Sequence, residues 1–160
     1  MKNIKKVSVL GLPGVGKSTL LKMLAGDKIP QDYVPTIGLD FGNIDIGSNG
    51  GYNQTISLWD LGGQDQFRFM WDGLLRGTSV IIAVTDSTKA GALKTKEFVE
   101  KYSKSNGAKL IVLANKQDLP GALSPKEVEA ITGAETHGLV AIDPTSKQAL
   151  FKLLQRQLSS

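Results

Sequence analysis

The stretch Gly11-Leu12-Pro13-Gly14-Val15-Gly16-Lys17-Ser18 matches G-x-x-x-x-G-K-[ST] and is flanked by the apolar residues Val7, Val9 and Leu10 and by Leu20, Leu21 and Leu24. Glycines let the backbone turn tightly and approach an anion, so that successive N–H groups and a helix N-terminus point at phosphate. Pro13, Gly14, Val15, Gly16, Lys17, Ser18 and Thr19 are thus the candidate phosphate-binding residues, with Lys17 reaching the terminal phosphates. The Ser18 hydroxyl is a candidate ligand for Mg²⁺, a hard cation that takes oxygen donors. By itself the string says nucleoside triphosphate and leaves base and reaction open.

Two further strings supply what the loop lacks. Asp60-Leu61-Gly62-Gly63-Gln64 offers a carboxylate that can hold a Mg²⁺-bound water, a glycine N–H (Gly63) for a γ-phosphate, and an amide (Gln64) able to orient an attacking water. Asn115-Lys116-Gln117-Asp118 is more specific. The Asp118 carboxylate can accept two parallel hydrogen bonds from the N1–H and N2–H₂ of guanine, which adenine cannot donate. Lys116 can lay its stem over the base, and Asn115 can tie this loop to the phosphate loop. Thr145, Ser146 and Lys147 could present N–H groups to the guanine O6, although the same residues also read as a helix cap. Thr36, in Pro35-Thr36-Ile37-Gly38, is the candidate second hydroxyl on Mg²⁺. His137 is remote from all these strings and reads as structural.

The elements that must position these residues follow from the hydrophobic pattern. Strands are expected at 5–10, 79–85 and 110–114, a hairpin over 39–60 around Gly47-Ser48-Asn49-Gly50-Gly51, and a last strand near 139–142. Helices are expected at 17–25, 65–76, about 90–105, from a capping box at Ser124-Pro125-Lys126-Glu127, and over a final stretch aligning Leu150, Leu153, Leu154 and Leu158. Alternation of strands and helices predicts an α/β fold, a doubly wound, mostly parallel sheet of about six strands with helices on both faces. Ligands then bind at the carboxyl ends of the strands, and residues 11–18, 60–64, 115–118 and 145–147 each come just after a predicted strand.

Length and composition narrow the setting. The 160 residues make one domain, 1–160, able to bury about two-thirds of its unfolded surface. Without cysteine there is no thiolate chemistry, and a cytoplasmic location is expected. The net charge of +4 comes with no aromatic interleaving of the lysines, so no nucleic-acid partner is expected.

Together these residues resemble a small GTPase of the Ras superfamily, more narrowly the ADP-ribosylation factor family. The resemblance rests on Trp59-Asp60-Leu61-Gly62-Gly63-Gln64, Asn115-Lys116-Gln117-Asp118-Leu119-Pro120, Pro35-Thr36-Ile37-Gly38, and Trp71 shortly after Arg68. It implies a P-loop NTPase small G-domain that binds GTP and GDP with Mg²⁺ and switches between them. Lys17, Thr36 and Gln64 would serve hydrolysis, and Ser18, Thr36 and, through water, Asp60 would serve the metal. An exchange factor, a GTPase-activating protein and effectors would bind through residues 36–75.

The chain also departs from the family. Lys2 stands where its members carry a myristoylated glycine, and only a few residues precede the first strand, so the resemblance leaves the membrane anchor and the helix-gated interswitch open. Membrane association is left open. Pro13 lacks an N–H and adds bulk where a partner's arginine would enter. The family's effector-binding triad maps to Leu39, Trp59 and Leu74. No arginine lies between Lys28 and Gly38, so turnover is expected to be slow without a partner. Two other readings stand beside the switch: a GTP-binding interaction module with negligible hydrolysis, and a kinase sharing only the phosphate loop.

Overall fold

The computed structural model describes residues 4–26, 38–49, 52–62, 65–104 and 107–159. Six strands form one sheet: β1 (Lys5–Gly11), β2 (Gly38–Asn49), β3 (Tyr52–Leu61), β4 (Thr78–Thr85), β5 (Lys109–Ala114) and β6 (Thr136–Gly138), in the spatial order β2-β3-β1-β4-β5-β6. Only β2 runs antiparallel, against β3; the remaining pairs are parallel. Five helices connect and cover them: α1 (Lys17–Ala25), α2 (Trp71–Leu74), α3 (Lys89–Tyr102), α4 (Pro125–Thr132) and α5 (Ser146–Ser159). The chain therefore has the expected doubly wound α/β architecture.

The period of two along the central strands divides the core. Val80, Ile82 and Val84 of β4 and Ile111 and Leu113 of β5 pack with Leu20, Leu21 and Leu24 of α1 and Leu150, Leu153 and Leu154 of α5. The intervening Ile81, Ala83, Val112 and Ala114 face Trp71, Phe98, Val99, Tyr102 and Val128 on the other side. Burial on both faces accounts for the continuous apolar runs.

β2 keeps its core face by bulging. Phe41 and Ile44 would point to opposite faces of a regular strand, yet both are buried in the α1/α5 layer. The register against β3 shifts between Asp40 and Asn43, where Gly42 adopts φ 80° and donates its N–H to Asp40 Oδ1 at 2.7 Å. A second shift lies between Asp45 and Ser48, with Gly47 at φ 99° bonded to Asp45 Oδ1. The two Asp-x-Gly units insert the extra residues.

Two elements differ from the sequence expectation. The helix expected over 65–76 is a 3-10 turn, Asp65–Met70, leading into the four-residue α2. Trp71 dictates this: its ring is fully buried, its Nε1 donates to Gly62 O at 3.0 Å, and Phe98 and Tyr102 hold it at 5.0 and 5.9 Å between centroids. Phe69 meanwhile is 75% exposed. The last strand is Thr136–Gly138 rather than 139–142: Leu139 N–H still bonds Ala114 O at the end of β5, but Ala141 N–H is captured by the side-chain Oδ1 of Asn115. An asparagine side chain turns an apolar stretch away from the sheet.

Candidate functional site

The phosphate loop leaves the end of β1 and enters α1 through two glycines with left-handed backbone, Gly14 at φ 85° and Gly16 at φ 93°. Gly16 is the N-cap of α1 and no side chain caps that terminus, which keeps its N–H groups and positive end available to an anion. At Gly16 a Cβ would lie 2.2 Å from Asn115 Nδ2, so glycine is required for close approach as well as for φ. Pro13, Gly14 and Ser18 are exposed at the rim, Thr19 is half-buried and Val15 is buried.

Lys17 is nearly buried and does not point into solvent. Its Nζ lies 2.6 Å from Asp60 Oδ1 and donates to Leu61 O at 2.7 Å, so it ties the start of α1 to the end of β3. Asp60 is 1% exposed. Burial pushes its carboxyl above the usual aspartate range, and the ammonium of Lys17 draws it part of the way back. This donor set, a hydroxyl at the helix start and a carboxylate at the strand end, suits a hard cation shared with phosphate oxygens. Among the described residues no cluster of three or more His, Cys, Asp or Glu forms a protein-only cage. A Mg²⁺ ion at these two oxygens would need nucleotide and water to complete its shell. Thr36, Gly63 and Gln64 lie outside the described residues.

Asn115 joins three segments. Its Nδ2 donates to Val15 O at 2.9 Å, its Oδ1 accepts from Ala141 N–H at 3.0 Å, and its own N–H donates to Thr85 O at 2.9 Å. The residue is 3% exposed, so each of these bonds is costly to lose. Lys116, held at φ 63°, turns its side chain back over the phosphate loop, with Nζ donating to Gly14 O at 2.7 Å.

Between these loops lies an open cleft of about 200 Å³ lined by Gly16, Thr19, Asn115, Lys116, Asp118, Leu119, Val140, Ala141 and Ile142. The structure thus brings Asp118 onto the same cleft as the loop around Lys17. It does not bring Thr145, Ser146 and Lys147 there. Their N–H groups turn inward, Thr145 onto Asp143 Oδ1, Ser146 onto Asp143 O and Lys147 onto Pro144 O. Residues 140–142 occupy the wall instead. The sequence signal for them was the rim rule itself: with the last strand ending at Gly138, the loop just after it is 139–142. His137, half-buried, pairs with Glu135 at 3.0 Å, away from the cleft.

Of the three residues matching the effector triad, Trp59 and Leu74 are half-buried and pack on the α3 side of the core. Lys6 Nζ sits 4.5 Å from the Trp59 ring centroid and donates to Leu74 O and Arg76 O. The Leu39 side chain lies outside the described residues.

A phosphate loop cross-tied by the asparagine of an N-K-x-D loop, on a sheet wound in this order, makes the domain a small G-domain of the P-loop NTPase class. Within that class the chain belongs to the ADP-ribosylation factor family, whose sequence model matches residues 1–154. It is 39% identical over 131 residues to ADP-ribosylation factor-like protein 8b of Arabidopsis thaliana, covering 79% of this chain and 67% of that protein. It is 38% identical over 127 residues to ADP-ribosylation factor-like protein 4D of Mus musculus, covering 77% and 63%. Identity to ADP-ribosylation factor-like protein 2 of Drosophila melanogaster is 36% over 144 residues, covering 85% and 75%. The match to the first two thus spans about two-thirds of their length or slightly less.

Proposed function

We propose that the chain is a guanine-nucleotide-dependent switch that binds GTP and GDP with Mg²⁺ and slowly hydrolyses GTP to GDP and phosphate. The observation that carries this reading is the shared cleft: Asp118 stands on it with Gly16 and Thr19, and Asn115 locks the two loops together. In this reading Asp118 accepts from guanine N1–H and N2–H₂, Lys116 covers the base, and the backbone of 140–142 meets O6 in place of Thr145, Ser146 and Lys147. The N–H groups at the start of α1 bind the β-phosphate. Lys17 gives up its bond to Leu61 O to neutralise the γ-phosphate, and Gln64 orients the water for in-line attack. Ser18, Thr36 and, through water, Asp60 would hold Mg²⁺, which supplies positive charge to the phosphate oxygens.

Exchange factors, GTPase-activating proteins and effectors would engage residues 36–75, and the cytoplasm is the proposed location. Asp118→Asn tests base recognition. The amide presents a donor where xanthine carries a carbonyl, so preference should move from GDP to xanthosine diphosphate; retained tight GDP binding refutes the reading. Pro13, exposed and without an N–H at the loop tip, favours the second reading, an interaction module that scarcely hydrolyses. Single-turnover hydrolysis by wild type and Gln64→Leu separates the two: a switch loses γ-phosphate measurably and the variant slows it.

A further inference from the structure

We infer that Ser87 and Gln117 are positioning residues for base recognition, bracing the turn that presents Asp118 to the cleft; this rests on the guanine reading above. Among the described residues two that are not glycine have left-handed backbone, Ser87 at φ 66° and Lys116 at φ 63°. They come from different loops yet meet at one peptide. Ser87 Oγ donates to Asn115 O at 2.5 Å, the carbonyl immediately before Lys116. Backbone strain of this kind persists only where surrounding contacts over-determine it, and it gathers at functional sites.

The over-determining contacts run through Gln117. Its Nε2 donates to Ser87 Oγ at 2.8 Å and to Leu123 O at 2.8 Å, using both amide hydrogens. Leu123 N–H returns a bond to Ser87 O at 2.8 Å, which closes the ring. Ser87 is fully buried, and its hydroxyl both donates and accepts within this ring, so water cannot replace a lost partner. The Gln117 stem lies along Gly138, where a Cβ would stand 3.4 Å from Gln117 Cγ and 2.9 Å from Pro125 Cγ. Leu119 N–H then bonds Lys116 O at 3.1 Å, folding Asp118 into the braced turn. Asp118 is exposed, so its direction is set through its backbone by the residues that hold Lys116 and Gln117. The third position of Asn115-Lys116-Gln117-Asp118, whose amide donors go to Ser87 and Leu123, aims the fourth.

Gln117→Met keeps an unbranched stem against Gly138 and removes both donors, while Ser87→Ala removes the hydroxyl alone. The full chain is titrated with GDP and with inosine diphosphate, which lacks the 2-amino group and so uses one of the two bonds to Asp118. If the brace aims that carboxylate, each variant weakens GDP about tenfold, the effect of one to two lost hydrogen bonds, and inosine diphosphate less. The GDP preference then narrows, and the double variant is no weaker than the worse single, because the two share a bond. Equal weakening of both nucleotides, or none, overturns the proposal. Should Ser87→Ala fail to fold, the ratio for Gln117→Met decides alone. A wild-type chain with no preference for GDP over ADP refutes the guanine reading itself, and this proposal with it.

Discussion

At the scale of single residues, Gly16 and Asp60 carry the sharpest expectations. Gly16→Ala puts a Cβ 2.2 Å from Asn115 Nδ2 at a backbone φ of 93°, and that nitrogen is already bonded to Val15 O. The backbone conformation alone costs about 1–3 kcal/mol, so urea unfolding should show at least that loss together with weakened nucleotide binding. The pKa values of Asp60 and Asp143 are shifted in opposite directions from the ordinary aspartate value. Burial raises Asp60 above 3.8, so the folded chain keeps a proton that the unfolded chain has released, and stability falls as pH rises through the window above 3.8. Asp143 is held below 3.8 by the Thr145 N–H and then its hydroxyl; its contribution is present above 3.8 and lost as pH falls through the folded value. Carboxyl NMR should place the two midpoints on either side of 3.8, and Lys17→Met should raise that of Asp60 further. An Asp60 midpoint below 3.8 would mean that pairing with Lys17 outweighs desolvation.

Secondary-structure elements show where local preference and packing part company. Gly42 and Gly73 are both glycines with open space around them, yet Gly42 needs φ 80° to form a bulge in β2 and Gly73 lies within α2 without positive φ. Gly42→Ala should cost about 1–2 kcal/mol, while Gly73→Ala should gain up to about 1 kcal/mol from helix propensity. Denaturation midpoints for the pair check both signs. The α4 capping box forms as its sequence dictates, with Glu127 N–H on Ser124 Oγ at 3.2 Å and Ser124 N–H on Glu127 Oε1 at 3.1 Å. Ser124→Ala should therefore cost about 1 kcal/mol, read from the same measurement. The segment 65–76 goes the other way: helical spacing of its apolar residues yields to the anchoring of one indole.

For the whole molecule, the cross-tie from Asn115 couples nucleotide to global stability. Val15 at the end of the phosphate loop, Thr85 at the end of β4 and Ala141 beyond β6 are all bonded to that one side chain or its N–H. A ligand that binds only the folded state at a hundredfold over its Kd adds about 2.7 kcal/mol. Thermal melts with GDP and Mg²⁺ should rise accordingly, and Asp118→Asn should lose the rise with GDP and regain it with xanthosine diphosphate. No described helix is long and apolar enough to cross a membrane.

Local chemistry sufficed for much of this protein. Runs of β-branched and apolar residues determined the central strands, Ser124 and Glu127 determined a helix start, and the glycine spacing at 11–18 determined the phosphate loop, because each acts over a few neighbouring residues. The strand order, the convergence of Asp118 with Gly16, and the bridge from Lys17 to Asp60 depend on pairings between distant segments that no local pattern contains. Tertiary structure alone decided the end of the sheet, where the polar Thr136–Gly138 pairs with β5 and the more apolar 139–142 becomes loop. A buried asparagine on another strand end had to satisfy its carbonyl oxygen, and the backbone N–H of Ala141 was the donor within reach.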